Sequence, residues 1–425
     1  MSLSTAWRDA QLRHLVSEPI QNGLGEAAAE GDPSWPRYIR ITDIVSMTQL
    51  DPDKVETLAP EIAGKAPVRR GDLLCAAVGA SVGTSYLHES DEAACYAGYL
   101  VRIRPDLKNL EPRFLGYWAQ SAEYWQQIRA GSIGSTIENF SASRYRSMRL
   151  SIPEVREQRR IAEFLDRETA QIDELIAKQT QLISTLAERE TGLIFDQVTR
   201  GLDESVPMSE SSLWFERRPS HWLYGNIRHF AAMKTGHTPS RSVPEYWENC
   251  DIPWFTLADV WQLRQGNRYL GATENQISEL GLANSAAELL PTGTVVLSRT
   301  ASVGFTGIMP KPMATSQDFW NWVCRTDRLL PEFLWYQFRA MNPYIRSLMY
   351  GSTHKTIYQA DASSFQIVVP PIDEQRAIVD SLDELTDDAS RAVLAAQRMI
   401  DLLRERRQAL ISAAVTGQID VGGAS

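Results

Sequence analysis

EQRRIAEFLD fills residues 157–166, and residues 374–383 read EQRAIVDSLD. The phrases begin 217 residues apart (374 minus 157) in a chain of 425. Around them the similarity is extensive. Residues 153–203 align without a gap onto residues 370–420, with 17 identities in 51 positions. Upstream the correspondence is weaker but keeps its order. LRHL at Leu12 answers IRHF at Ile227, and RITDI ending at Ile44 answers TLADV ending at Val260. ASVG occurs at both Ala80 and Ala301, and EPRFLGYW at Glu111 answers LPEFLWYQ at Leu330. GSIGSTI at Gly131 and GSTHKTI at Gly351 then lead into the strong repeat. The chain is a duplication in which a globular unit is followed, twice, by a segment of about 50 residues.

That segment has the pattern of a long helix. Alternate steps of four and three from Ile161 reach Leu165, Glu168, Ile172, Leu175, Gln179, Leu182, Leu186, Arg189 and Leu193, mostly apolar and uninterrupted by proline. This is a seam near the 3.5-residue period of helices that wind around each other. Some 40 residues at about 1.5 Å each would reach roughly 60 Å. In the second copy the seam is Ile378, Leu382, Leu385, Ala389, Ala392, Ala396, Met399, Leu403, Arg406 and Leu410. Its alanine-rich middle suits close approach, so the two helices are expected to pair; the alternative is that each covers its own globule. Arg189 and Arg406 occupy equivalent seam positions, and either face solvent or mark contacts with another subunit. Pro153, and Pro370 with Pro371, end the strand-like phrases MRLSIP and FQIVVPP just before each helix.

The expected fold is α+β. Two similar globular α/β domains stand in tandem pseudo-two-fold repeat, each followed by a long helix, the helices pairing as an antiparallel coiled-coil spacer. The partition is residues 1–152 and 204–369 for the globules, 153–203 and 370–425 for the helical segments. With 43% apolar and 23% charged residues, the composition is that of a folded globular chain. No stretch has the length of a signal peptide core or a membrane span, so a cytoplasmic location without membrane contact is expected. Four scattered cysteines suit neither a zinc site nor a disulfide framework.

The net charge of −10 argues at first against DNA as a partner. Division by segment changes that reading. Lys plus Arg against Asp plus Glu gives 16 to 18 in residues 1–152, 7 to 11 in 153–203, 14 to 14 in 204–369 and 6 to 10 in 370–425. The helical segments thus hold eight of the ten excess negative charges, and the globules are nearly neutral. Basic and amide residues among many aromatics nominate a polyanion surface: Arg69, Arg70, Arg144 and Arg146 in the first globule, and Arg241, Arg299, Lys311, Gln317 and Lys355 in the second. No P-loop, dinucleotide fingerprint, metalloprotease or hydrolase motif occurs, and the six histidines are dispersed. The chain reads as a binding protein without catalytic residues or metal ligands.

The doubled order of globule, GS-type loop, IP or PP, EQRxI, long helix and VT resembles the specificity subunit of type I restriction-modification enzymes. TGHTPSR, EYWENCDIPW, ASVG, ATSQDFW and GSTHKTIY followed by VVPPIDEQRAI are very like that family's phrases. The resemblance implies that each globule is a target recognition domain reading one half of a split, asymmetric sequence in double-stranded DNA. It implies that the helices fix the gap and dock two methyltransferase subunits, to which restriction (translocase) subunits can be added. The cofactors, S-adenosylmethionine with ATP and Mg in the full complex, would then be bound by the partners and none by this chain. The first half departs from the pattern, with QNGLGEAAAEGD near Gln21 where the second has TGHTPSR. A two-headed adaptor that binds proteins rather than DNA is the alternative.

Overall fold

The computed structural model describes residues 7–26, 31–132, 139–211, 214–350 and 355–421. It divides into two compact units, residues 1–180 with 397–425 and residues 181–396. Each unit therefore holds one globular head together with the first part of one long helix and the last part of the other.

The heads share one plan. In unit 1 a four-stranded antiparallel sheet has the order Gln21–Asn22, Leu100–Ile103, Leu73–Ala76, Ser85–Leu87. Its counterpart in unit 2 runs Ala231–Thr235, Phe319–Cys324, Val295–Ser298, Thr306–Ile308. A three-stranded sheet accompanies each and contains one parallel pair: Arg37–Ile39 with Ala94–Tyr96 in unit 1, Ile252–Phe255 with Ala314–Thr315 in unit 2. A two-stranded ribbon ties the start of each head to its end, Arg8–Gln11 against Arg149–Ile152 and Leu223–Asn226 against Gln366–Val369. The later strand of each ribbon is the phrase that proline ends, so the chain leaves the sheet and enters the helix at a fixed place.

The long helices are Val155–Arg200 and Ile372–Val415. Each stops at a glycine in the left-handed region, Gly201 (φ 78°) and Gly417 (φ 73°), which ends a helix without strain at Cβ. Among the described residues no helix is long and apolar enough to cross a membrane.

Within each unit the two helices run antiparallel. In unit 1, Ile161 and Leu165 near the start of the first helix share a core with Ile411, Ala414 and Val415 at the end of the second, and with the head. In unit 2, Ile378, Val379 and Leu382 join Ile194 and Val198 in the same way. Pairing and covering are thus not alternatives, because each head packs on the start of its own helix and on the end of the other.

The stripe of buried and half-buried positions departs from the expected seam. Along the first helix it passes through Ile161, Leu165, Thr169, Ile172, Ile176, Gln179, Ile183, Leu186, Glu190, Leu193 and Gln197, which is 36 residues in ten steps. Along the second it passes through Ile378, Leu382, Leu385, Ala389, Ala392, Ala396, Ile400, Leu403, Arg407, Leu410 and Ala414, again 36 in ten. The period is 3.6, that of a straight α-helix, so a 3.5-residue pattern slips by one position. Leu175, Leu182 and Met399 fall off the stripe, 47%, 44% and 48% exposed, and Ile176, Ile183 and Ile400 take their places. Arg189 and Arg406 are exposed, and the stripe holds Glu190 and Arg407 instead. Glu168 likewise gives way to the buried Thr169, and the other seam residues, Ile161, Leu165, Ile172, Gln179, Leu186, Leu193, Ile378, Leu382, Leu385, Ala389, Ala392, Ala396, Leu403 and Leu410, lie on it. At Ala389 and Ala392 the small side chains do not close the interface: with Leu186 and Leu193 they line a cleft of about 290 Å³.

The repeated EQR phrase now has a physical account in its glutamine. Gln158 and Gln375 are fully buried. Gln158 Oε1 accepts from the Glu111 N–H (2.8 Å), and its Nε2 donates to the carbonyls of Asn109 (3.0 Å) and Pro153 (2.9 Å). Gln375 makes the same three bonds, from Leu330 N–H (2.9 Å) and to Arg328 (2.7 Å) and Pro370 (2.8 Å). One side chain therefore fastens the first turn of each long helix to the loop before the head's main helix, Pro112–Trp118 or Pro331–Ala340.

Two turns further along, Tyr117 donates to Asp166 (2.7 Å) and lies 3.3 Å from Thr169 Oγ1; Tyr336 does the same with Asp383 (2.7 Å) and Thr386 (3.3 Å). Burial would raise the Asp383 carboxyl, but hydrogen bonds from Arg268 and Tyr336 outweigh it and hold the carboxyl below its usual range. A depressed carboxyl contributes stability that is complete above its unfolded value, about 3.9, and is lost as pH falls through the folded value. The melting-temperature gap between the wild type and Asp383→Asn is therefore expected to be constant from pH 8 to 5 and to close below about pH 4, as differential scanning calorimetry across that range would show.

Candidate nucleic-acid interface

In unit 2 the phrases singled out in the sequence come together on one surface. Gly236 of TGHTPSR lies so close to the backbone that a Cβ there would sit 2.2 Å from the carbonyls of Thr315 and Ser316, so only glycine fits. The next residue closes the contact, His237 N–H donating to the Thr315 carbonyl (3.0 Å). Thr238 Oγ1 donates to Gln317 (2.7 Å), which joins TGHTPSR to ATSQDFW through side chains as well. The EYWENCDIPW phrase reaches the same place, since Trp254 Nε1 donates to the His237 carbonyl (3.2 Å) and Trp247 Nε1 to that of Ser240 (3.1 Å). Arg241 lies over the Trp247 ring at 5.7 Å.

The ASVG turn completes the surface. Arg299 N–H donates to the Asp318 carbonyl (3.0 Å), and Ile357 N–H to the Arg299 carbonyl (3.1 Å). Thr300 bridges Thr356, the neighbour of Lys355. Ala301 holds φ 60°, a left-handed conformation uncommon outside glycine, so the turn carries backbone strain. Around it stand cations and exposed rings. Arg264 Nε donates to Ser302 Oγ (2.8 Å), and Arg346 lies 5.4 Å from the Phe305 ring. Tyr350 and Tyr358 are 55% and 58% exposed, with ring centroids 5.9 Å apart.

The Arg299 side chain is held in a definite pose. Its guanidinium lies 4.4 Å over the face of the buried Trp320 ring, a favourable cation–π distance. Its Nε is buried without an acceptor, and its terminal nitrogens make no hydrogen bond among the described residues. The Asp318 carboxylate beside it accepts from Ser316 Oγ (2.9 Å) and forms no ion pair with Arg299 among the described residues.

The first head repeats this framework with other side chains. A Cβ on Gly23 would meet the Tyr96 carbonyl at 2.1 Å, and Leu24 N–H donates to that carbonyl (2.9 Å) as His237 does to Thr315. NGLG at Asn22 is thus the backbone counterpart of TGHT at Thr235 that the sequence alone did not reveal. Ala77 N–H donates to the Tyr99 carbonyl (2.9 Å), and Phe140 N–H to the Ala77 carbonyl (2.8 Å). By these bonds Ala77 stands where the second head has Arg299, Gly98 where it has Gln317, and Tyr99 where it has Asp318. Gly79 is one extra residue in the first turn. The GS-type phrases themselves fall largely on residues 133–138 and 351–354, outside the described residues.

The predicted contact residues therefore divide. Arg241, Arg299, Gln317 and Lys355 lie on phrases that the structure brings together, whereas Lys311 is exposed on a separate turn, between Thr306–Ile308 and Ala314–Thr315. In the first head Arg144 and Arg146 are exposed but donate to the carbonyls of Asn139 (2.7 Å) and Ile20 (2.8 Å). Arg70 is bidentate to Asp91, both bonds 2.8 Å, and Arg69 lies 3.4 Å from Glu18. Carboxylates already answer the charge of this last pair. Sequence reasoning passed over Arg264, Arg346, Tyr350 and Tyr358; the exposed aromatics near a basic phrase were the available signal. Among the described residues no group of His, Cys, Asp and Glu converges with metal-binding geometry.

Two stretches, residues 37–185 and 219–395, match the model of the type I restriction modification DNA specificity domain, one in each half. The chain belongs to this family. The type I restriction enzyme MjaIX specificity subunit of Methanocaldococcus jannaschii is 29% identical over 171 residues, 40% of this chain and 39% of that protein. A putative MjaX specificity subunit of the same organism is 21% identical over 393 residues, 90% and 87% of the two chains. The EcoprrI specificity subunit of Escherichia coli is 31% identical over 87 residues, 20% of each chain. The chain thus spans about two-fifths of the MjaIX subunit and one-fifth of the EcoprrI subunit. Among solved structures, a chain from work on complex assembly and conformational transition of the type I R-M system superposes with a TM-score of 0.75 at 19% identity, covering 99% of this chain and 100% of that one. The HsdS subunit of Thermoanaerobacter tengcongensis gives 0.57 at 18%, covering 99% of each. These two likenesses concern the fold of the specificity-domain family, and the family match tells against the adaptor alternative.

Proposed function

We propose that this specificity-domain chain is the DNA-reading subunit of a type I restriction-modification complex. Each head takes one half of a bipartite, asymmetric site in double-stranded DNA, and the two long helices set the gap and dock two methyltransferase subunits. The observation that carries this reading is the shared framework of the heads, on which the same backbone bonds present different side chains: Arg299, Gln317 and Asp318 in one, Ala77, Gly98 and Tyr99 in the other. Two readers built alike with different faces suit two unlike half-sites.

Helices of 46 and 44 residues, roughly 65–70 Å at about 1.5 Å per residue, are long enough to govern a spacing of about one DNA turn, ~34 Å. Their acidity favours contact of DNA with the heads rather than the helices. Methyl transfer to adenine, with S-adenosylmethionine, belongs in this reading to the methyltransferase partners. Cleavage, with ATP and Mg, belongs to restriction subunits. The chain contributes sequence choice and no catalytic group.

The test is binding of the purified complex with its methyltransferase subunits to duplexes carrying a selected bipartite site, measured by fluorescence anisotropy from 50 to 300 mM salt. Affinity that falls steeply with salt and requires both half-sites supports the reading. Salt-independent binding, or none to any duplex, contradicts it.

A further inference from the structure

The geometry points to Arg299 as the side chain by which the second head reads a guanine, an assignment that rests on the function proposed above. Three observations lead to it. The guanidinium carbon lies 4.4 Å over the Trp320 ring, so this contact has already restricted the rotamer freedom that an arginine would otherwise lose on binding. Its donors lack acceptors within the described protein, and a buried Nε without a partner is a polar group whose desolvation has yet to be compensated. A guanidinium fork matches the O6 and N7 edge of guanine in the major groove.

The neighbouring cations are placed for other work. Arg264 is engaged with Ser302, Arg346 lies over Phe305, and Lys355 is exposed beside the turn, so these suit phosphates on either side of the base. The counterpart of Arg299 in the first head is the buried Ala77, flanked by the same backbone bonds. A phosphate anchor would be needed by both heads, because phosphates are the same at every sequence. A base reader would differ between heads that read different half-sites, as this position does. The strain at Ala301 fits a turn whose shape is held by its neighbours for contact rather than for packing.

The experiment maps N6-methyladenine by single-molecule sequencing in cells that express the methyltransferase subunit with wild-type chain, Arg299→Ala, Arg299→Lys or Lys355→Ala. Arg299→Ala puts the first head's residue on the second head's framework. Arg299→Lys keeps the charge over Trp320 but loses the fork, and so decides the question if the alanine variant folds poorly. Both Arg299 variants are expected to relax one G·C requirement in one half-site, discrimination there falling about ten- to a hundredfold. The other half-site and the gap stay as in the wild type. Lys355→Ala is expected to reduce methylation evenly at all occurrences without changing the motif. Unchanged base requirements in the Arg299 variants, or the same even reduction, would overturn the assignment. If the wild-type chain directs no bipartite methylation, the proposed function itself fails.

Discussion

Gln375→Ala is expected to lower the melting transition of unit 2 by about 6–12 °C, the equivalent of about 3 kcal/mol in a domain of this size. The side chain is fully buried and makes three hydrogen bonds to the backbone. Its removal strands the Leu330 N–H and two carbonyls where water does not reach, and each buried group left unpaired costs about 1–3 kcal/mol. Neither flanking residue of the EQR phrase keeps its role between copies: Glu374 binds His221 and Trp222, whereas Glu157 binds Arg160. Gln158→Ala should act on unit 1 to the same extent. Calorimetry of the two variants decides the matter, and a shift of about 1 °C or less in either would show that the glutamine does not fasten helix to head.

The second large effect separates two registers of the same helix. Ile172→Ala is expected to destabilise by about 2–4 kcal/mol, because it leaves a cavity at a buried position of the stripe. Leu175→Ala, at a side chain 47% exposed, should cost no more than about 0.5 kcal/mol. Ile400→Ala and Met399→Ala form the matching pair on the second helix. A heptad seam of period 3.5 holds Ile172 in common, so it would make Leu175 as sensitive as Ile172, and Met399 more sensitive than Ile400. Chemical denaturation of the four variants distinguishes the two outcomes.

That register also shows what the sequence could and could not disclose. The duplication, the two long helices and the prolines before them were legible, because identity, periodicity and chain-breaking residues are local signals. Over the first turn a 3.5 and a 3.6 period are indistinguishable, so Ile161 and Leu165 lie on both; further along the difference accumulates, to about one residue in ten turns, and it is already enough at four turns to favour Ile176 over Leu175. Gln158 and Gln375 were visible as repeated letters, but four of their six partners are backbone groups 45 to 49 residues away, and backbone groups leave no side-chain signature. For the same reason NGLG looked unlike TGHTPSR: what the two segments share is a glycine pressed on a carbonyl and one N–H bond. Charged residues gave the least reliable guide, since Arg69 and Arg70 read as phosphate ligands until Glu18 and Asp91 appeared beside them. Arg299 was visible as a basic residue, while the features that set it apart, Trp320 beneath it and Ala77 in its place in the other head, depend on the fold.

The most direct measurement of the central claim is N6-methyladenine mapping across cellular DNA when the methyltransferase subunit is expressed with this chain and without it. Methylation at a single bipartite, asymmetric motif that disappears when the chain is omitted is the result the account predicts. Methylation at the same positions in both cases would contradict it, because sequence choice would then lie outside this chain.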